Sequence, residues 1–239
     1  MRRQIQWLLD QLFPAKCAVC GGTAPAGICP ECLDKLPRTP EEICPHCGRG
    51  KDKCFCSHMR GECFHRLAAP CYYTAGMRTG ICALKFQGVK AHAGWIGELM
   101  AETVKKRFLN EGATIDLMVP APLSEKRLRE RGFNQSLLLA RRMAQLLPSS
   151  ILLDDTILVK GRDTASQHDL NYEQRRENLH GVFRADKRAA GKTILLVDDV
   201  ATTGTTLSEC GRALYLAGAE RVLCCTAAVA ASVKGEDRL

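Results

Sequence analysis

Two adjacent aspartates followed by a run of threonines are the residues in this chain best suited to chemistry. Asp198 and Asp199 follow four apolar residues, Ile194 to Val197, and precede the run Thr202-Thr203-Gly204-Thr205-Thr206. An unbroken apolar run predicts a strand that is buried on both faces of a parallel sheet. Apolar residues recur at helical spacing from Leu207 onwards. The stretch therefore predicts a strand, an acidic tip, a loop rich in hydroxyls and glycine, and a helix.

A loop of this composition can hold an anion. Its N–H groups and hydroxyls are free to donate, the helix N-terminus adds a favourable partial charge, and Gly204 lets the backbone approach closely. The two acids suit sugar hydroxyls or a metal-bound sugar phosphate. An ordinary strand–loop–helix unit with threonine caps is the alternative. A nucleotide-binding P-loop ending in Gly191-Lys192-Thr193 is excluded, because this tripeptide precedes the strand and the required earlier glycine would fall at Asp186.

The same stretch resembles the phosphoribosyl-pyrophosphate (PRPP) binding motif of type I phosphoribosyltransferases. In that family the acids hold the ribose hydroxyls, and the loop after them cradles the 5′-phosphate. The resemblance implies that Asp198 and Asp199 are the acids of the active site. The loop ligands that it implies are Val200, Ala201, Thr202, Thr203, Gly204, Thr205 and Thr206.

A second group of polar residues follows the predicted strand 115–119. Arg127 and Arg131 are four residues apart and would share one helical face, and an arginine can donate two hydrogen bonds to a phosphate. Asn134 and Gln135 add neutral donors. This group would suit a pyrophosphate; the alternative is the solvated start of a basic helix. Because ligands of parallel sheets bind at the carboxyl ends of strands, both groups could face one site.

Cysteines dominate the first third of the chain. Fourteen occur in all, and a chain that lacks a secretory signal is expected in the cytoplasm, where clustered cysteines usually bind metal. Two pairs of cysteines, each with one or two residues between its members, can complete a tetrahedral zinc site, and with all ligands used the metal would be structural. The simplest assignment is one site from Cys17, Cys20, Cys29 and Cys32 and a second from Cys44, Cys47, Cys54 and Cys56.

Alternatives to this assignment remain at the second site. Cys63, His46 or His58 could replace one of its ligands, since the C-x-C spacing of Cys54 and Cys56 is less usual. A redox role is the rival interpretation for any single pair.

The length of 239 residues suits one α/β domain plus a small appendage, and the net charge of +8 mildly favours anionic partners. No apolar run approaches about 18 residues, so we predict no transmembrane segment. A short amphipathic helix is expected at 4–13, for packing or, as a minority option, for a membrane surface. We divide the chain into a cysteine-rich module, 1–66, and an α/β domain, 67–239.

Strands and helices alternate in the predicted α/β domain, which indicates a parallel, doubly wound sheet. The polar segment 160–178 is predicted to be either a lid over the site or a passive surface loop. Strands are expected at 69–74, 115–119, 156–159, 194–197 and 221–229, and helices at 77–87, 93–108 and from Gln135 to Leu147.

Nearly the whole chain resembles the ComF family. The motifs that carry the resemblance are the paired cysteines, Leu84-Lys85-Phe86-x-Gly88, Val119-Pro120-x-Pro122, Arg131-Gly132-Phe133-Asn134-Gln135 and the 194–206 motif. The family implies a type I phosphoribosyltransferase-like sheet flanked by helices, preceded by a double zinc-ribbon-like module. Many members are linked to natural transformation and act in the cytoplasm on incoming single-stranded DNA. The C-x-C spacing departs from the family, which more often has C-x-x-C.

Two functions follow as hypotheses. The first is an enzyme that binds PRPP with Mg²⁺ and transfers the phosphoribosyl group, with zinc only structural. The second is a non-catalytic module that senses PRPP, while its zinc ribbon and basic surface contact single-stranded DNA or DNA-uptake proteins. Single-strand binders usually offer stacking aromatic residues, and an aromatic content of 5% predicts no such platform.

Overall fold

A computed structural model of the protein describes residues 16–54, 56, 63–161 and 181–231. The helix expected at 4–13, His58 and nearly all of the polar segment 160–178 lie outside these residues. None of the helices in the described ranges is long and apolar enough to cross a bilayer.

The helices and strands alternate along most of the chain. The helices are α1 Pro30–Asp34, α2 Ala75–Phe86, α3 His92–Arg107, α4 Glu125–Arg131, α5 Gln135–Ala144 and α6 Thr205–Leu216. The strands are β1 Arg66–Ala68, β2 Cys71–Tyr72, β3 Leu117–Pro120, β4 Leu152–Leu153, β5 Leu158–Lys160, β6 Phe183–Ala185, β7 Thr193–Ala201 and β8 Arg221–Val229.

A six-stranded sheet forms the centre of the molecule, and all of its pairs are parallel. Its order is β1-β8-β7-β3-β4, and β2 also pairs with β8. Leu195 and Val197 of β7 join the core cluster under α2, α3 and α5, whereas Ile194 and Leu196 join the cluster under α6. Both faces of β7 are therefore covered, as its unbroken apolar run predicts, and the parallel sheet flanked by helices is confirmed.

Three strands differ from the sequence-based expectation. The single strand expected at 69–74 is two short strands, β1 and β2, on either side of Pro70, which has no N–H to continue the ladder. The strand expected at 156–159 is β5, which pairs antiparallel with β6 outside the main sheet. The strand β7 does not end before the acids but runs on through Asp198 and Asp199 to Ala201, since it stays paired with β8 as far as Val229.

The cysteine-rich segment packs directly on the β1–β2 edge of this sheet. The Leu67 N–H donates to Pro45 O at 2.7 Å, and the Tyr72 N–H donates to Pro37 O at 2.7 Å. The Tyr72 hydroxyl accepts from the Gly50 N–H at 3.0 Å. These bonds to the main chain fix the segment beside the carboxyl end of β8.

Candidate functional site

The carboxyl end of β7 places two carboxylates in the floor of one cavity. Asp198 and Asp199 are 9% and 5% exposed, and both line a cavity of about 280 Å³. Successive side chains of a strand point to opposite faces, so the two carboxylates meet different partners. The acidic tip that the sequence predicts is therefore a rigid strand end.

Within the described residues, Asp199 is paired on one oxygen only. Its Oδ1 lies 2.7 Å from Nζ of Lys85, at the end of α2. Its Oδ2 is buried and accepts no hydrogen bond from any residue that the structure describes. A buried oxygen without a partner is costly, so this atom is a ready acceptor for a ligand hydroxyl or a cation.

Asp198 is held from the neighbouring helix. Its Oδ1 accepts from Ser136 Oγ in α5 at 2.9 Å and from the Asp199 N–H at 2.8 Å. Burial, together with the charge of Asp199, raises the pKa of Asp198 to about 7. Two buried carboxylates side by side repel each other, and a cation or a donating ligand would relieve that repulsion.

The loop after β7 leads into α6 through Gly204. Gly204 has φ +74°, in the left-handed region, and is the N-cap of α6. The hydroxyls of Thr203 and Thr205 lie 2.8 Å apart across this turn. The first N–H groups of a helix have no partner within it, so the start of α6 beside the cavity favours an anion. Three residues of the segment line the cavity directly: Val200, Thr202 and Thr206.

The loop after β3 and the helix that follows it form the opposite wall. Ala121, Pro122 and Leu123 line the cavity together with Arg127 and Arg131 of α4. The two loops that leave neighbouring strands therefore do meet at one site, as their positions predict. The Ser124 hydroxyl caps α4 by accepting from the Arg127 N–H, which sets the start of the helix beside the cavity.

Arg131 is partly buried beside the ring of Phe86. Its guanidinium carbon lies 5.4 Å from the ring centroid of Phe86, and Nη1 donates to Gln135 Oε1. Burial lowers the pKa of Arg131, an effect that the nearby charges of Asp199 and Asp198 oppose. The cavity thus has acids on one side and guanidinium groups on the other, an arrangement suited to a sugar that carries phosphates at both ends.

Asn134 has a different position from its neighbour Gln135. Its Oδ1 caps α5 by accepting from the N–H groups of Ser136 and Leu137, and its Nδ2 donates to Ala121 O at 3.0 Å. Gln135 lines the cavity and Asn134 does not. Asn134 therefore holds α5 against the loop after β3.

The cavity is also lined by residues that the sequence analysis does not assign to the site. Lys85 belongs to the Leu84-Lys85-Phe86-x-Gly88 motif, which is the signal that could have found it. Tyr73 follows β2, and Lys160 and Phe183 come from the β5–β6 pair. Their positions depend on packing between elements that are distant in the sequence.

The eight cysteines form two compact groups. Each group brings its four sulfur atoms within 4.8 Å of one another, and the groups are Cys17, Cys20, Cys29 and Cys32, and Cys44, Cys47, Cys54 and Cys56. A tetrahedron with metal–sulfur distances of about 2.3 Å has edges of about 3.8 Å. The distances from Cys20 to Cys29, 3.8 Å, and from Cys47 to Cys54, 3.7 Å, fit such edges. Both thiol sets therefore fit a structural zinc ion.

Neither of two alternative ligands joins these groups. Among the described residues, the cluster at Cys44 contains neither His46 nor Cys63. The Cys63 N–H instead donates to Ser208 Oγ in α6 at 3.0 Å. The C-x-C spacing of Cys54 and Cys56 is compatible with a single cluster, since their sulfur atoms lie 3.4 Å apart.

Comparison with known proteins gives the same two-part organisation. A model of the phosphoribosyl transferase domain matches residues 134–238, and a model of the double zinc ribbon domain matches residues 8–71. DNA utilization protein YhgH of Escherichia coli (strain K12) is 32% identical, with 82% of this chain and 87% of that protein covered.

Two further relatives have names that refer to competence. Competence protein F of Haemophilus influenzae is 27% identical, with 88% of this chain and 95% of that protein covered. Competence protein ComFC of Bacillus subtilis is 26% identical, with 80% of this chain and 79% of that protein covered. The chain belongs to the ComF family, in which it joins a double zinc ribbon to a phosphoribosyltransferase-type sheet.

Proposed function

We propose that the cavity binds PRPP together with Mg²⁺. The observation that carries this proposal is the buried Oδ2 of Asp199, which has no hydrogen-bond partner among the described residues and lies beside Asp198, across one cavity from Arg127 and Arg131. In this proposal the two aspartates accept from the ribose hydroxyls. The segment from Val200 to Thr206 holds the 5′-phosphate, and the two arginines, with Gln135, hold the pyrophosphate.

Magnesium fits the donor set of this site. Mg²⁺ prefers carboxylate and phosphate oxygens and keeps several waters, so it binds through one or two carboxylates plus a substrate phosphate. Asp198 and Asp199 offer such oxygens in the cavity wall. When bound, the ion would neutralise charge on the pyrophosphate.

The same arrangement suits transfer of the phosphoribosyl group. Breaking the bond between C1 and the pyrophosphate builds positive charge on the ribose ring and negative charge on the leaving group. In this proposal the carboxylates of Asp198 and Asp199 stabilise the ring. Arg127 and Arg131, which line the same cavity, stabilise the departing pyrophosphate. Pyrophosphate release in the presence of a panel of nucleobases tests this step. If no base causes release, the protein would bind PRPP without transferring the phosphoribosyl group, as a sensor does.

Calorimetric titration of zinc-loaded protein with PRPP, with and without Mg²⁺, tests the binding itself. We expect Mg²⁺-dependent binding that is lost in the Asp198→Asn/Asp199→Asn variant and weakened in Arg127→Ala/Arg131→Ala. Arg129→Ala is the matched control, because Arg129 lies on the same helix but pairs with Glu125 at the surface. Equal affinities of all these proteins would rule out the proposed site.

Zinc is proposed to be structural in both cysteine clusters. Each cluster supplies four thiols, so all four positions of a tetrahedral ion are used and no position is left for a substrate. A short segment with few core residues gains its folding free energy from such ions.

A second candidate function, which could coexist with the first, is binding of single-stranded DNA in the cytoplasm during DNA uptake. The relatives' names refer to DNA utilization and to competence. One surface also favours binding of single-stranded DNA, although the low aromatic content predicts no stacking platform. A groove of about 550 Å³ adjoins the cavity, and its lining includes Phe86, Phe133, Arg127 and Arg131. Phe86 is 62% exposed. Exposed rings among cations are the usual platform for unpaired bases and their phosphates.

Fluorescence anisotropy with labelled oligo-dT tests this candidate. We expect Phe86→Ala to weaken binding about tenfold, since stacking of one base contributes on the order of 1–3 kcal/mol. Leu216→Ala is the control, because Leu216 is 80% exposed on α6. We also expect affinity to fall steeply with salt concentration. Binding that is equal in wild type and Phe86→Ala would place the DNA elsewhere, and no binding at low salt would remove this function.

A further inference from the structure

Arg49 connects the second cysteine cluster to the loop that begins the phosphate cradle. It follows Cys47 by two residues, and its side chain is fully buried, at 0% exposed. Its guanidinium donates to Thr202 O at 2.8 Å and to Ala201 O at 3.3 Å. It also donates to Ala230 O at 2.6 Å and to Cys47 O at 2.9 Å. One side chain thus binds the cysteine turn, the end of β7 and the residue that follows β8.

These bonds fix the backbone at the point where β7 passes into the loop. Ala201 is the last residue of β7, and Thr202 lines the cavity. The Ala201 carbonyl also accepts from the Ala230 N–H at 2.9 Å. A carbonyl held by a charged donor contributes more to stability than one held by a neutral donor. The direction in which the following N–H groups point therefore depends on Arg49.

The position of Arg49 is set in turn by the cysteine cluster. The Cys44 N–H donates to Arg49 O at 2.7 Å, and the Gly48 N–H donates to Cys44 O at 2.8 Å. Gly48 has φ +69°, and a Cβ there would lie 3.2 Å from Leu67 O and 3.4 Å from Val229 Cγ1. This tight turn carries two of the four thiols of the cluster, so a zinc ion bound there would fix its shape.

Electrostatic attraction would also hold the Arg49 side chain against the zinc-loaded cluster. A zinc ion with four thiolates carries a net charge of about −2. Arg49 places its cation beside that cluster, with Cys47 O as one of its acceptors. Burying a guanidinium is costly unless opposite charge and hydrogen-bond acceptors surround it. The loaded cluster would supply the charge, and the carbonyls at the end of the sheet supply acceptors.

We propose that Arg49 is a positioning residue that makes the phosphate loop depend on zinc in the second cluster. With zinc bound, Arg49 holds Ala201 and Thr202 so that the loop can receive a phosphate. Loss of that zinc releases the turn, Arg49 and the loop, and weakens binding of the sugar phosphate. The cluster of Cys17, Cys20, Cys29 and Cys32 does not have this effect. The affinity part of this inference rests on the proposed PRPP site, whereas the coupling of the turn to the loop does not.

Hydrogen exchange measured by mass spectrometry tests the coupling without any ligand. We expect faster exchange in peptides covering 200–206 in Arg49→Met and in Cys54→Ser, with unchanged protection in α3 and β8. Cys20→Ser, in the first cluster, is the matched control and should leave residues 200–206 protected. Unchanged exchange at 200–206 in both Arg49→Met and Cys54→Ser would overturn the proposal. Should Arg49→Met fail to fold, the comparison is made with Arg49→Lys, which keeps the charge but cannot reach all four carbonyls.

Binding of two separate probes then tests the effect on the site. We expect Arg49→Met to bind ribose 5-phosphate about tenfold more weakly, the loss that corresponds to about 1.4 kcal/mol, and to bind pyrophosphate as wild type does. An equal loss for both probes would indicate general damage and contradict a role specific to the loop. If wild type binds neither probe, the proposed PRPP site fails, while the exchange result still decides whether Arg49 couples the cluster to the loop.

Discussion

The Nζ atom of Lys85 lies 2.7 Å from Oδ1 of Asp199, and this ion pair joins the end of α2 to the end of β7. The Lys85 side chain is 18% exposed and that of Asp199 is 7% exposed. One carboxylate oxygen is thus committed to the protein, and the other, which has no partner among the described residues, is left for a ligand. The pair holds the Asp199 carboxylate in the lining of the cavity.

Replacing Lys85 by methionine should reveal the cost of leaving this carboxylate unpaired. We expect Lys85→Met to lower the free energy of unfolding by about 1–3 kcal/mol, because a buried charge loses its partner. Adding Asp199→Asn should recover much of that loss, since the unpaired charge is then removed. Urea denaturation measures both. Lys51→Met is the control, as Lys51 pairs with Glu42 on the open surface, and a loss as large in this variant would contradict the explanation.

The raised pKa of Asp198 predicts a pH-dependent stability. Its folded-state pKa of about 7 lies above the value of about 4 for an unfolded chain. The folded state therefore holds a proton that the unfolded state has released, and stability falls as the pH rises from about 4 to 7 and levels off above it. Asparagine mimics the neutral acid, so the stability of Asp198→Asn relative to wild type should rise as the pH increases from about 4 to 7 and stay constant above about pH 7.

Thermal unfolding of both proteins across this range is the measurement. The cysteine clusters contribute the same pH dependence to the stability of both proteins. Subtracting the stability of wild type from that of the variant removes this contribution. Asp155→Asn, at an exposed carboxylate, should show no such change. If the difference in stability between Asp198→Asn and wild type does not vary with pH, the pKa of Asp198 is not raised.

Gly204 should be required both for the conformation of the turn and for binding of the phosphate. Its φ of +74° costs a residue with a Cβ about 1–2 kcal/mol, so Gly204→Ala should be less stable by that amount. Gly94→Ala is the control: Gly94 lies within α3, and a Cβ there meets no atom within 4 Å. That helical substitution should be neutral or stabilising, by about 0.5–1 kcal/mol. Wild-type stability and PRPP affinity in Gly204→Ala would contradict this account of the loop.

The two thiol groups predict the zinc content of the protein. Native mass spectrometry should find two zinc ions per chain in wild type, because each cluster gathers four thiols. Cys54→Ser should retain one ion and Cys63→Ser should retain both, since Cys63 lies outside the clusters. A loss of zinc in Cys63→Ser would instead make Cys63 a ligand.

The strand, the loop and the helix of the site were predictable because their signals are local. An apolar run buried on both faces and a helical repeat from Leu207 each follow from a few adjacent residues. That Arg127 and Asp198 line the same cavity was also predictable, because Arg127 follows β3 and Asp198 lies near the carboxyl end of the neighbouring parallel strand β7. Cysteine spacing predicted both clusters, but it left Cys63, His46 and His58 as alternative ligands at the second.

The remaining partners of the site depend on contacts between distant elements. Lys85 reaches Asp199 because α2 packs Met77, Ile81 and Leu84 into the core beneath the sheet, and that register is not encoded near either residue. Arg49 reaches Thr202 across 153 positions of the sequence. The end of β7 was placed too early because two adjacent acids resemble a loop, whereas pairing with β8 keeps them in the strand.

A crystal structure of the zinc-loaded protein with PRPP and Mg²⁺ would test the central claim most directly. The account predicts that PRPP occupies the cavity, with its ribose hydroxyls at Asp198 and Asp199 and its 5′-phosphate against the loop from Thr202 to Thr206. Its pyrophosphate should lie between Arg127 and Arg131. PRPP bound elsewhere, or the cavity empty in crystals soaked at saturating PRPP, would contradict it.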